Sequence, residues 1–170
     1  ILAGPEQTLA PDDVYPYLPQ FTAGVQAFVT GESLVYDLIY SHYWLSGMAA
    51  HALKAVWDIP FVQMFHTLGQ MKNRIVLRDS ASLSPDVRVY HETRIVQWAN
   101  HLIAATTAEQ TQLLWLYRAD RRKISIIPPG VNTLRFQPVP VVAAKHQLGL
   151  PLDEQLLLFV GRIEPLKGVD

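Results

Sequence analysis

The run Leu156-Leu157-Leu158-Phe159-Val160-Gly161-Arg162-Ile163-Glu164-Pro165-Leu166-Lys167-Gly168 decides how the rest of the chain is to be read. Five apolar residues closed by a glycine and followed by a polar loop predict a buried parallel strand that delivers its C-terminal end to a site. Arg162 and Lys167 flank a turn stiffened by Pro165, so a planar fork and a point charge could converge on one polyanion, most simply a diphosphate. Standing alone, a Gly-Arg reads as a surface turn with two solvated cations, because short motifs recur by chance. The balance shifts because apolar runs ending in polar loops recur through the preceding residues.

Composition sets the class. A chain of 170 residues that is 49% hydrophobic and 17% charged can bury a core and is neither disordered nor fibrous. Its formal charge of -1 supplies no global field for nucleic acid or anionic lipid, so anion recognition must be local. Zero cysteines exclude disulfides and thiolate chemistry. No apolar run approaches the roughly 18 residues that cross a bilayer, and the N-terminus lacks a signal-peptide pattern, so the expected location is cytoplasmic. Ile1 at the start, and Asp170 where a helix should follow the Gly161 loop, lead us to expect a fragment with elements missing on each side.

Outward from that last run, the chain alternates. Residues 1–19 carry Pro5, Pro11, Pro16 and Pro19 and form a connecting segment. Phe21, Val25, Phe28 and Val29 predict a helix over 20–32, and 34–40 is expected to be the first strand, ending at Ser41-His42-Tyr43-Trp44. Ser46 is expected to cap a helix through Trp57. A second strand over 61–65 ends at His66-Thr67; 75–84 reads as a loop or short helix; and Ser84-Pro85-Asp86 opens a helix through Trp98. Residues 102–105 form a third strand, Thr107 caps the next helix, and 124–127 form a fourth strand closed by Pro128-Pro129-Gly130. Residues 134–142, with Pro138 and Pro140, read as an interdomain linker, and a short helix over 145–148 stops at Gly149. The alternation implies an α/β fold, an open parallel sheet with right-handed crossovers and helices on both faces.

In such sheets ligands bind outside the carboxyl ends of the strands. The ends here offer Ser41, His42 and Tyr43; His66 and Thr67; Thr106 and Thr107; Pro129 and Gly130; and Gly161 and Arg162. Hydroxyls, imidazoles and a phenol suit a polyhydroxylated ligand better than an apolar one. A lone histidine such as His66 after a strand is more often a structural hydrogen-bonder than a catalyst, though Thr67 beside it and Lys72 beyond Gly69 raise its standing. The six histidines show neither HExxH spacing nor a Cys/His cluster, so no metal site is expected. Trp44, Trp57, Trp98 and Trp115 are expected in the core or in helix packing, with Trp44 alternatively stacking on a sugar. Glu92 stands four residues after Arg88 and is expected to pair with it or with backbone rather than act as an acid. Arg118, Arg121, Arg122 and Lys123 read as a solvated helix end, with a peripheral membrane contact as the weaker alternative.

Five blocks, in order, carry a resemblance. They are Tyr36 to Gly47; Phe65-His66-Thr67-Leu68-Gly69 with Lys72; Arg88 and Glu92 before Ala99-Asn100; Ile127-Pro128-Pro129-Gly130-Val131-Asn132 with Phe136; and Phe159-Val160-Gly161-Arg162 with Lys167-Gly168. Together they resemble the retaining glycosyltransferases of family 4, in particular bacterial enzymes similar to sucrose-phosphate synthase and to the inositol-phosphate N-acetylglucosaminyltransferase of mycothiol synthesis. The resemblance implies the GT-B architecture, two Rossmann-like domains across a cleft: residues 1–133 as an acceptor-side domain, 134–142 as linker, and 143–170 as the start of a nucleotide-sugar domain. It implies that Gly161, Arg162 and Lys167 grip the donor diphosphate, that Arg162 and Lys167 stabilise the leaving nucleotide, and that His66 approaches the transferred sugar. Tyr43, Thr67 and Arg88 match positions that bind a phosphorylated acceptor. The implied partners are a nucleotide-diphosphate sugar as co-substrate and a sugar or sugar-phosphate acceptor, with no further cofactor and no nucleic acid.

Two features of that family are missing, the glycine-rich loop before Ile1 and a glutamate pair beyond Asp170, and from this the chain by itself is expected to be inactive. The rival readings are a non-catalytic sugar- or nucleotide-binding module and another Rossmann-type nucleotide-sugar enzyme such as an epimerase. No GxGxxG follows a strand here, which weighs against the latter.

Overall fold

In the computed structural model, residues 1–9, 11–76 and 87–163 are described, without the side chains of residues 11, 12, 72 and 74–76. They fall into two compact units that divide between Pro128 and Pro129.

The larger unit opens with a short 3-10 helix, Pro11–Tyr17, that runs into helix α1, Leu18–Gly31. Pro19 falls in the first turn of α1, where a missing N–H costs nothing. Then come β1 (Ile39–His42), α2 (Tyr43–Trp57), β2 (Phe61–Met64), α3 (Gly69–Val76), α4 (Val87–Trp98), β3 (His101–Ala104), α5 (Thr107–Tyr117) and β4 (Ile124–Ile126). The four strands make one parallel sheet in the order β1-β2-β3-β4. Parallel neighbours need crossovers, and α2, α4 and α5 supply them. Helix α2 packs on β1 and β2 and against α1 and α4, while α5 packs on β3 and β4.

The core explains the sequence pattern. Phe61, Phe65, Leu102, Ala104 and Ile124 from the strands and their ends meet Trp44, Ile95 and Leu113 from the helices. A fully buried side chain of this size contributes about 1.5–3 kcal/mol, so these few positions dominate the apolar stabilisation. Gly47 is required by the packing. A Cβ there would lie 2.5 Å from Gln63 Oε1 and 2.9 Å from Ile95 Cδ1, so glycine is what lets α2 lie this close to β2 and α4.

Several boundaries differ from the sequence expectation. The first strand is not 34–40 but Ile39–His42, because its ladder can begin only where β2 provides a partner: Ile39 N–H donates to Pro60 O and Ile39 pairs with Phe61. Leu34, Val35, Tyr36 and Leu38 are exposed. Helix α2 starts at Tyr43 with His42 as its N-cap, so Ser46 lies inside the helix and caps nothing. The cap of α5 is Thr106, whose hydroxyl accepts from Glu109 N–H at 3.1 Å, one residue before the expected Thr107. The expected helix entry at 84–86 and most of the 75–84 segment lie outside the described residues.

Trp44 cannot stack on a sugar. It is 1% exposed, layered against Tyr15 and His91 in the core. Trp115, expected in helix packing, is 80% exposed.

In the smaller unit α6, Val141–Leu148, begins directly after Pro140, four residues earlier than expected, and ends at Gly149 with φ 68°. The run that opened the sequence analysis is not the buried strand it predicts. Residues 156–160 are exposed and pair with no strand among the described residues. Apolar character makes a segment suitable for a sheet interior, but a strand exists only where a neighbour satisfies its backbone groups.

Candidate functional site at the carboxyl ends of β1 and β2

The carboxyl ends of β1 and β2 each hand over to a residue with left-handed backbone, Tyr43 at φ 70° and His66 at φ 63°. Among the described residues three other non-glycine residues share this conformation, and all stand at helix C-termini: Asp58 and Arg118 as C-caps, Ser33 just past α1. Tyr43 and His66 serve no such stop. A non-glycine residue held there costs on the order of 1–3 kcal/mol, and persists where its surroundings over-determine it.

The surroundings of Tyr43 do so. Gln63, fully buried on β2, donates through Nε2 to Tyr43 O at 3.1 Å and to Met64 O at 2.9 Å, and its Oε1 accepts from Ser41 Oγ at 2.6 Å. The one polar side chain inside the apolar β2 run thereby fixes the first residue of α2.

Arg88 on α4 gathers the rest. Its Nε donates to Glu92 Oε1 at 2.7 Å, its Nη2 to Thr67 O at 2.7 Å and Thr67 Oγ1 at 3.0 Å, and its Nη1 to Tyr43 OH at 3.3 Å. The guanidinium also lies 4.9 Å from the Tyr43 ring centroid, within cation–π range. Thus Tyr43, Thr67 and Arg88, which the sequence analysis grouped, are joined in space.

Glu92 anchors this arrangement from beneath. Its Oε1 accepts from Arg88, and its Oε2 from Gly69 N–H at 2.9 Å and from Tyr117 OH. Burial raises the Glu92 carboxyl above its ordinary value, and hydrogen bonds from Tyr117, Arg88 and Gly69 oppose that rise. Both oxygens face donors, the arrangement of an ionised carboxylate. Burial and then the Glu92 charge push the Tyr117 phenol well above its usual range. Gly69 fits because a Cβ would sit 3.0 Å from Val89 Cγ2 and 3.1 Å from Glu92 Oε2.

His66 and Thr67 are exposed at this rim, and His42 Nδ1 lies 2.8 Å from His66 Nε2. Burial, and next the neighbouring His66, hold the His42 imidazole below its ordinary pKa. Thr106 is engaged as a helix cap, Gly161 and Arg162 belong to the other unit and are exposed, and Lys167 lies outside the described residues. Among the described residues no group of three or more His, Asp or Glu is placed to hold a metal, and no helix is long and apolar enough to cross a membrane. Reasoning from sequence missed Gln63, Tyr117 and the His42–His66 contact; a lone glutamine in an apolar strand was the only signal for any of them.

A parallel α/β sheet with hydroxyls, imidazoles and a guanidinium gathered beyond its strand ends defines an open-sheet α/β protein, a class in which ligands bind outside the carboxyl ends of the strands. Residues 2–135 match the model of Glycosyltransferase Family 4, and the chain belongs to that family. It is 42% identical over 172 residues to a D-inositol 3-phosphate glycosyltransferase of Kineococcus radiotolerans, covering 100% of this chain and 39% of that protein. A protein of the same name from Mycolicibacterium smegmatis is 40% identical over 171 residues, again covering 100% and 39%. The chain therefore spans about two fifths of the length of these relatives. Among solved structures, a sucrose-phosphate synthase from Thermosynechococcus elongatus superposes with a TM-score of 0.78 at 30% identity, over 95% of this chain and 39% of that one. Anabaena HepE, solved with UDP-glucose, shares the fold at a TM-score of 0.54 and 14% identity, over 83% of this chain and 34% of that one. The architecture is GT-B, present here in part.

Proposed function

We propose that this chain supplies the acceptor side of a retaining glycosyltransferase that moves a sugar from a nucleotide-sugar donor to a hydroxyl of a phosphorylated polyol or sugar. The observation that carries the reading is the convergence of Tyr43, Thr67 and Arg88 at the carboxyl ends of β1 and β2. A phenol, a hydroxyl and a guanidinium suit a ligand that is both hydroxylated and anionic. The names of the inositol 3-phosphate and sucrose-phosphate relatives point to the same ligand chemistry.

In this reading residues 1–133 hold the acceptor, 134–142 link, and 143–170 begin the donor domain. His66 approaches the transferred sugar from the acceptor side. Arg162 and Lys167 grip the diphosphate and stabilise its charge as the glycosidic bond breaks. A same-face, dissociative displacement demands little protein acid–base chemistry, so leaving-group stabilisation dominates the rate.

The test uses the full-length protein with a panel of nucleotide-diphosphate sugars and phosphorylated acceptors, scoring product anomers by NMR. Thr67→Val and Tyr43→Phe should raise the acceptor KM about tenfold while leaving the donor KM unchanged, the cost of one or two lost hydrogen bonds to a charged group. Arg162→Ala and Lys167→Ala should instead lower kcat by roughly a hundredfold or more. An inverted product anomer, or near-normal turnover in both cation variants, would overturn the assignment.

A further inference from the structure

The register of the first two strands pairs His42 with Met64, and His66 follows two residues later on the left-handed turn. The two imidazole planes are nearly parallel there, 20° apart with centroids 5.0 Å apart, and His42 Nδ1 and His66 Nε2 meet at 2.8 Å. His42 is itself held. Its backbone is the extended N-cap of α2, and its ring lies 4.2 Å from that of Tyr40, whose hydroxyl donates to Met64 Sδ at 3.3 Å. A contact path thus runs from β2 through Tyr40 and His42 back to His66.

We propose that His42 is a positioning residue for His66, whose ring orientation and tautomer it fixes by sharing one proton between its Nδ1 and His66 Nε2. The inference rests on the proposed placement of His66 beside the transferred sugar. Only one hydrogen can lie between the two nitrogens. If His42 donates, the neutral His66 ring carries its own proton on Nδ1; if His66 donates, its Nδ1 is a bare acceptor. Each arrangement gives His66 one hydrogen-bonding character toward a ligand, and exchange between them requires both rings to change tautomer together. A histidine left without such a partner samples both tautomers and several rotamers, and an exposed one does so freely. The lowered pKa of His42 fits a partner kept neutral so that the shared proton stays in place.

Two readouts on the full-length protein test this. With histidine labelled by 15N, the ring nitrogen shifts report the His66 tautomer without reference to turnover, the signal being assigned with His66→Gln. A single tautomer is expected in the parent protein and a mixture in His42→Ala. An asparagine amide occupies the place of Nδ1, whereas a glutamine amide reaches the place of Nε2. His42→Asn, a good helix N-cap, should therefore keep the single tautomer and a kcat within about twofold. His42→Ala and His42→Gln should lose about tenfold in kcat with both KM values little changed, the lower end of what a lost tautomer-fixing partner costs. An unchanged His66 tautomer in His42→Ala, or an asparagine variant as impaired as the alanine one, overturns the proposal. If the parent protein transfers no sugar, the proposed function fails while the nitrogen shifts still decide the role of His42.

Discussion

Replacing Glu92 by leucine probes the physical basis of the site directly. Glu92 is fully buried, and the Arg88 side chain it pairs with is 10% exposed. Losing the carboxylate takes from the guanidinium its Glu92 partner and removes the acceptor for Gly69 N–H and Tyr117 OH. Removing one partner of a buried pair costs about 3–5 kcal/mol. With a urea dependence of about 2 kcal/mol per molar, the unfolding midpoint should fall by roughly 1.5–2.5 M. Arg88→Met beside Glu92→Leu removes both charges, so the double variant should be more stable than the sum of the singles by about 2 kcal/mol or more. Urea titrations of the parent, the two singles and the double, followed by tryptophan fluorescence, complete the cycle. A Glu92→Leu cost below about 1 kcal/mol, or singles that add to within about 0.5 kcal/mol, would refute the claim that this pair organises the Tyr43–Thr67 rim.

Gly47→Ala inserts a methyl 2.5 Å from Gln63 Oε1, which cannot withdraw without releasing Ser41 and Tyr43. A loss of about 1–3 kcal/mol is expected in thermal unfolding, and a change under about 0.5 kcal/mol would show that α2 moves away freely. His91 is buried between Tyr15 and Trp44 with Nδ1 unpartnered among the described residues, and burial and then Arg94 hold its pKa below 6.5. The folded state favours its neutral form, so its contribution is full above pH 6.5 and drains as pH falls through the folded value. Stability should therefore drop between pH 7 and about 5, and His91→Phe should flatten that slope without abolishing it, since His42 and His51 shift the same way. Equal slopes in the two proteins would remove His91 as a cause.

The second, third and fourth strands were legible because short apolar runs bounded by polar loops have few other uses. The site was legible in outline for a related reason: strand ends in a parallel sheet share one rim, so Tyr43, His66 and Thr67 could be grouped before any coordinates existed. Arg88 entered only through the family resemblance, since a helical arginine near a glutamate looks like any other i, i+4 pair. Its bonds to Thr67 and Tyr43 span 21 and 45 residues, distances over which local pattern is silent. The run at 156–160 shows the converse: strong apolar pattern with no strand beside it among the described residues.

Residue order alone determined the alternation of strands and helices, the parallel sense of the sheet and the side of it on which polar groups collect, because periodicity and turn residues act within a few positions. Only the folded chain decided where β1 begins, that Gln63 braces the turn at Tyr43, and that His42 meets His66. Those outcomes are contacts between segments about twenty or more residues apart, and their energies exist only once the sheet has brought the segments together.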